Sequence, residues 1–233
     1  MQEDVRMAED IYEPIIPQLK GKTVQRKVQH VEPVKITNVP KTILDKYKYV
    51  TICCDLMHIN GIGLLITISR HIMFATGSMI KNRKFEHIVD GITQVHKLYL
   101  QHGFKITYMH TNYEFEPISK GKTPLDINLN CASKKEHVPE IERFIRTLKE
   151  RVRSAQATMP FKRISKLMIV HLVASTIFWI NAFPLSTPGA RLSDTKSPGQ
   201  IILGKTVDYK YVCRFQPGEY VQVHQENETP TQN

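Results

Sequence analysis

The chain has no long uninterrupted apolar run. Its most hydrophobic stretch, Leu167 to Leu185, contains His171, Ser175, Asn181 and Pro184, so a buried core helix is expected there and not a membrane span. No apolar segment follows the N-terminus either. Met1-Gln2-Glu3-Asp4 is acidic, and no secretory signal is read from it. Cysteine is scarce: Cys53, Cys54, Cys131 and Cys213 show no paired metal-ligand spacing. Cys53 and Cys54, adjacent in a strand-like run, point to opposite faces. Free thiols in a reducing, intracellular compartment are the expectation. Acid is in deficit too, with 22 Asp and Glu against 32 Lys and Arg and a formal net charge of +10. Such a surplus favours an anionic partner, nucleic acid or an anionic surface. What remains is ordinary globular composition, 41% hydrophobic and 23% charged, in a chain long enough for one sizeable domain with extensions. No internal repeat is present.

Residues 1–45 mix charges with scattered prolines and read as an extended or loosely helical leader. The pattern changes from Lys46. Tyr47–Met57 and Ile62–Ser69 are rich in β-branched residues and are joined by Ile59-Asn60-Gly61, a hairpin signal. His71–Gly77 reads as a third strand. Residues 84–102 take helical spacing, with Phe85, Ile88, Val89, Ile92, Val95 and Leu98/Tyr99 on one side and Gly103 placed to end the helix. Lys105–His110 and Asp126–Cys131 read as two more strands, with a polar loop from Ser119 to Thr123 between them. Pro139 suits the first turn of a basic amphipathic helix carrying Ile141, Phe144, Ile145, Leu148 and Val152 on one face. A second, strongly apolar helix spans 164–182. A loop from Phe183 to Pro198, a strand-like Glu219–His224 and a polar tail complete the chain. The short-linked first three strands should be antiparallel, and the fourth, reached through a helix, parallel to one of them. The fold class is therefore α/β, a mixed sheet flanked by helices.

Asp55 stands near the end of a run that otherwise reads as a buried strand. A carboxylate there is costly to desolvate unless a metal, a partner or water meets it. Asn112 follows another strand-like run, and Glu142 opens the basic helix. Acid, amide and acid on a strand, a strand and a helix come close to the layout of a divalent-metal phosphoryl-transfer site.

The local words resemble a family. Asn112-Tyr113-Glu114-Phe115 looks like the segment carrying the second aspartate in copia-type retrotransposon integrases. Glu136-His137-Val138-Pro139-Glu140-Ile141-Glu142-Arg143, followed by Arg146-Thr147-Leu148-Lys149, looks like their helix with the third acid before an arginine. Trp179-Ile180-Asn181-Ala182-Phe183-Pro184, then Thr195-Lys196-Ser197-Pro198 and Leu203-Gly204-Lys205, is similar to the stretch after their core. The resemblance covers roughly residues 45–215 and implies a ribonuclease H-like five-stranded core over 46–185, with 186–233 a C-terminal extension and polar tail. It also implies DNA integration: end processing and strand transfer between element ends and target DNA, by a homo-oligomer acting in the nucleus and not on a membrane. Three carboxylates in that family's site hold two Mg²⁺ or Mn²⁺ ions about 3.5–4 Å apart. Asp55 would bridge the ions, Glu142 would hold one, and Arg143, Arg146 and Lys149 would face phosphates.

This sequence departs from that pattern at Asn112. An amide oxygen ligates a metal without adding charge, and Mg²⁺ sheds its waters reluctantly. Impaired catalysis, or a catalytically inactive module that keeps nucleic-acid or protein binding, is the consequence. Glu114 shares a strand face with residue 112 if the strand continues, but a two-residue shift moves a ligand by roughly 7 Å. The zinc-binding module expected upstream needs paired histidines and cysteines, whereas residues 1–45 hold only His30 and no cysteine. The leader is thus expected to be the remnant of a connector.

Competing readings are plainer. A lone strand-end aspartate is most often solvated, and a basic helix face is most often wet surface. His58, His110 and His137 are expected in ordinary polar contacts. Gly199 to Thr206 matches the phosphate-loop pattern literally, but no strand precedes it and no convincing helix follows. A short apolar helix capped by Gly204 is expected instead. Asn227-Glu228-Thr229 is a glycosylation sequon without a secretory context.

Overall fold

A computed structural model of the protein describes residues 39, 41–120, 127–133, 138–183, 192–193, 195–215 and 218–219. All lie in the unit Lys35–Asn233, the second of two into which the chain divides. A short helix, α1 (Lys41–Tyr47), leads into the sheet. Strands β1 (Tyr49–Ile59) and β2 (Ile62–Ser69) pair antiparallel from Ile59↔Ile62 to Ile52↔Ser69. Between them Asn60 and Gly61 both take positive φ, 47° and 77°, the turn whose twist matches that of the flanking strands. β3 (Ala75–Ile80) adds antiparallel to β2. Helix α2 (Phe85–Gln101) crosses over, and Gly103 at φ 84° turns the chain into β4 (Lys105–Thr111), parallel to β1. β5 (Asn128–Cys131) runs parallel to β4. The sheet order is β3-β2-β1-β4-β5, the mixed five-stranded α/β sheet that the sequence predicts.

Helices close both faces. On one, Ile52, Cys54 and Leu65 pack with Ile92, Val95 and Tyr99 of α2 and with Ile201 and Ile202 of α6 (Pro198–Leu203). On the other, Cys53, Met57, Leu64 and Ile66 pack with Ile141, Phe144 and Leu148 of α4 (Pro139–Ala157) and with Ile169, Val173 and Ile177 of α5 (Lys166–Ala182). Cys53 and Cys54 therefore do part to opposite faces, and both are free thiols. Each such aliphatic side chain taken from water contributes about 1.5–3 kcal/mol. Among the described residues no helix is long and apolar enough to cross a membrane. Helix α5 is instead tied into the fold by Asn181, whose amide accepts from Ala75 N at 2.9 Å and donates to Ala75 O at 2.7 Å.

Several elements differ from the sequence reading. The third strand starts at Ala75, because residues 70–73 form a turn in which Met73 N donates to Ser69 O and Ser69 Oγ accepts from Phe74 N, both at 3.0 Å. Ile72 in that turn and Phe74 just after it are buried, which gives the segment a strand-like alternation. The fourth strand ends at Thr111, and a 3-10 turn, Tyr113–Phe115, runs directly into helix α3 (Glu116–Lys120). Glu114 is consequently not on a strand face. α6 is the expected short apolar helix. Ser197 and Gln200 form a capping box at its start, and Gly204 at φ 62° ends it. This local order excludes a phosphate loop at Gly199–Thr206. A four-residue helix, α7 (Tyr209–Val212), was not expected. The tail and most of the Phe183–Pro198 loop lie outside the described residues, as does His137.

Candidate functional site

The pleat decides where Asp55 points. Cys53, Asp55 and Met57 alternate to the face that α4 covers, while Cys54 goes to the other. The parallel register then sets the partner. Cys54 lies opposite Thr111, so the residue after Thr111 arrives beside Asp55. That residue is Asn112, and its Nδ2 donates to Asp55 Oδ1 at 2.5 Å. The same oxygen accepts the backbone N–H of Leu56 at 2.7 Å. Asn112 Oδ1 is buried without a hydrogen-bond partner among the described residues.

The third residue, Glu142, sits in the first turn of α4 and within electrostatic reach of Asp55. Burial pushes the Asp55 carboxyl above its ordinary range. The Leu56 and Asn112 donors pull it down, and the negative charges of Glu114 and Glu142 push it up. Asp55 and Asn112 thus meet from a strand and a strand end, while Glu142 on the helix is near enough for its charge to act on Asp55. Glu114 joins them from the 3-10 turn and acts on Asp55 more strongly than Glu142 does. Its own carboxylate pairs with Arg83 at 3.6 Å. Arg83 also donates to His58 Nε2 at 3.4 Å, and His110 Nδ1 contacts Asn130 Nδ2 at 3.4 Å, so both histidines make ordinary polar contacts.

The donor set does not fit a pair of divalent ions as it stands. Such ions need converging oxygens, but the amide turns its N–H towards Asp55, and Asp55 Oδ1 already accepts two donors. Among the described residues no group of three His, Cys, Asp or Glu side chains is placed to hold a metal.

Beside this cluster lies a second one that the sequence did not reveal. Cys53, two residues before Asp55, donates its thiol to Glu140 Oε2 at 2.9 Å, two residues before Glu142. Arg70 brings Nε and Nη2 to the same oxygen, each at 2.8 Å. Burial tends to raise the Glu140 carboxyl, but the Cys53 and Arg70 donors outweigh it and hold the group below its usual range. Burial, together with the neighbouring Glu140, pushes the Cys53 thiol up to about 12. The only signal in the sequence was the repeated two-residue offset, which gives Cys53 and Asp55 the same sheet face.

The basic residues of α4 divide between two flanks. Glu142, Arg146, Lys149 and Arg153 recur at i, i+4, i+7 and i+11 and share one stripe. Glu140, Arg143, Thr147 and Arg151, at i, i+3, i+7 and i+11, share another. Arg143, three residues before Arg146 and four before Thr147, stands where the two stripes adjoin.

No protein-family model matches the chain, and no curated protein does. Among solved structures, the catalytic core domain of BIV integrase is similar at a TM-score of 0.46 and 15% identity, over 66% of this chain and 93% of that one. A likeness of that size carries no functional argument.

Proposed function

We propose that the chain is an integrase-type core of the copia group, ribonuclease H-like in fold, in which Asn112 has replaced the second acid and impaired catalysis. The observation that carries the reading is the meeting of Asp55 and Asn112 at 2.5 Å with Glu142 in electrostatic reach. These positions are remote in sequence, and Asn112 and Glu142 fall in the segments that carry the family resemblance. In this reading Asp55 and Glu142 are the retained metal ligands and Asn112 the degraded one. Glu114 is the nearest candidate for a replacement acid. Element ends and target DNA are the partners, bound by a homo-oligomer in the nucleus, and Arg143, Arg146 and Lys149 face the phosphates. Residues 46–185 are the core and 186–233 an extension.

A second reading has its own support. Asp55 Oδ1 accepts both the Leu56 N–H and the Asn112 amide, which suits a catalytically silent module that keeps only nucleic-acid affinity. One assay series separates the two. Mg²⁺- or Mn²⁺-dependent strand transfer on short duplex ends is measured for the natural chain and for Asn112→Asp, Asp55→Asn and Glu114→Gln. Activity only in Asn112→Asp marks a decayed enzyme. Activity in the natural chain that Glu114→Gln abolishes makes Glu114 the working acid. Silence throughout, with salt-dependent duplex binding, leaves the binding module. Absence of duplex binding at low salt overturns both readings.

A further inference from the structure

The flank of α4 that carries Arg143, Thr147 and Arg151 faces a cleft of about 400 Å³. A space of that size takes a small organic ligand. Its floor is apolar, made by Ile68, Met73, Phe144 and Ile180, with the Cys53 thiol and the Arg70–Glu140 pair forming one wall. The charge at its mouth is unbalanced. Arg70 is matched by Glu140, whereas Arg143 and Arg151 have no carboxylate within ion-pair distance among the described residues.

The opposite rim is strained and fixed in place. His71 and Met73, both lining the cleft, sit in the left-handed region at φ 63° and 59°. Side chains other than glycine rarely adopt that conformation, and it recurs where a ligand is clamped. Hydrogen bonds hold the turn there: Arg70 N donates to Thr51 O at 2.8 Å, and Ser69 N to Phe74 O at 3.0 Å. The rim is thus formed before any ligand arrives.

We infer that this cleft binds an amphiphilic monoanion, a small molecule with an aliphatic or aryl body and one carboxylate. The body would replace water on the apolar floor, and the carboxylate would take the guanidinium groups of Arg143 and Arg151, which match it as a planar fork. A hydrated polyanion suits the site poorly, because its charges would have to be desolvated against Phe144 and Ile180. The inference does not depend on the integrase reading: the apolar floor and Arg151 have no part in the Asp55 cluster, and Arg143 alone is shared with the phosphate-facing set.

Octanoate and octylamine are the probes, titrated by calorimetry into the natural chain, Arg143→Ala/Arg151→Ala and Thr147→Trp. Circular dichroism checks the fold of each variant. Saturable one-to-one binding of octanoate is expected, with octylamine silent, affinity down about tenfold or more in the double variant, and binding blocked by the bulk of Trp at position 147. Three results would each overturn the inference: no saturable octanoate binding, equal binding of octylamine, or undiminished affinity in a folded double variant.

Discussion

Asn112 donates its side-chain amide to Asp55 at 2.5 Å, so the residue that breaks the acidic triad is also the one that satisfies the acid it faces. A second carboxylate at position 112 would repel Asp55 and need a cation between them. The amide removes the repulsion and supplies a donor. Read from the sequence, Asn112 is a missing charge. In the fold it is a hydrogen-bonded link between the end of β4 and the middle of β1.

Asn112→Asp should therefore make the fold depend on metal. The variant loses a hydrogen bond to a charged group and gains a like charge, a loss of about 2–3 kcal/mol, or roughly 5–10 °C in melting temperature for a domain of this size. Millimolar Mg²⁺ or Mn²⁺ should recover part of that loss in the variant and stabilise the natural chain, which keeps only Asp55 and Glu142, much less. Thermal scans with and without metal measure both. A natural chain stabilised by metal as much as the variant would show that the amide does not stand in for a cation.

The raised Asp55 carboxyl gives a pH signature. The folded state holds the Asp55 proton more tightly than the unfolded chain does. Its contribution to stability is therefore complete below the unfolded carboxylate value, about 4, and is lost as pH rises through the higher folded value. Asp55→Asn removes the ionisation and keeps an oxygen for both donors. The variant should melt above the natural chain at pH 7, and the gap should close as pH falls below about 4. Denaturation across pH 3–8 tests the sign.

Much of this arrangement was legible beforehand, because alternation, the Asn-Gly turn and helical spacing are local signals. β2 and the β1–β2 turn came out as read, and so did Gly103, Gly204 and the parallel placement of β4. The misses have physical causes. Ile72 and Phe74 are buried in and just after a turn, so their alternation mimicked a strand. Tyr113–Phe115 leaves the strand for a 3-10 turn, and nothing in Asn112-Tyr113-Glu114-Phe115 signals that departure. The Cys53–Glu140–Arg70 contact is long-range, and residue type alone does not locate it. The direction of the Asn112 amide was also out of reach, since it depends on the register of two strands.

Asn181 should prove the costliest polar side chain to remove from the described core. Its amide closes both backbone hydrogen bonds of Ala75, the first residue of edge strand β3. Asn181→Ala leaves that N–H and that carbonyl buried without partners, a loss of about 3 kcal/mol. Urea unfolding measures the loss, and hydrogen exchange at the Ala75 amide should accelerate beyond the global change. An unaltered exchange rate would mean that water replaces the side chain.

The four thiols should separate by environment. Cys213 is exposed, Cys131 partly covered, and Cys53 and Cys54 are buried. Burial and the carboxylate of Glu140 hold the Cys53 thiol at about 12, and only the thiolate attacks a disulfide reagent. At pH 8 the native chain should give one fast reaction, from Cys213, and a slower one from Cys131, while Cys53 and Cys54 react only as the chain unfolds. Glu140→Gln removes the negative charge beside Cys53 but leaves it buried, so its reaction should quicken without matching that of Cys213. Rapid modification of Cys53 in the folded natural chain would contradict the thiol–carboxylate contact that joins β1 to the first turn of α4.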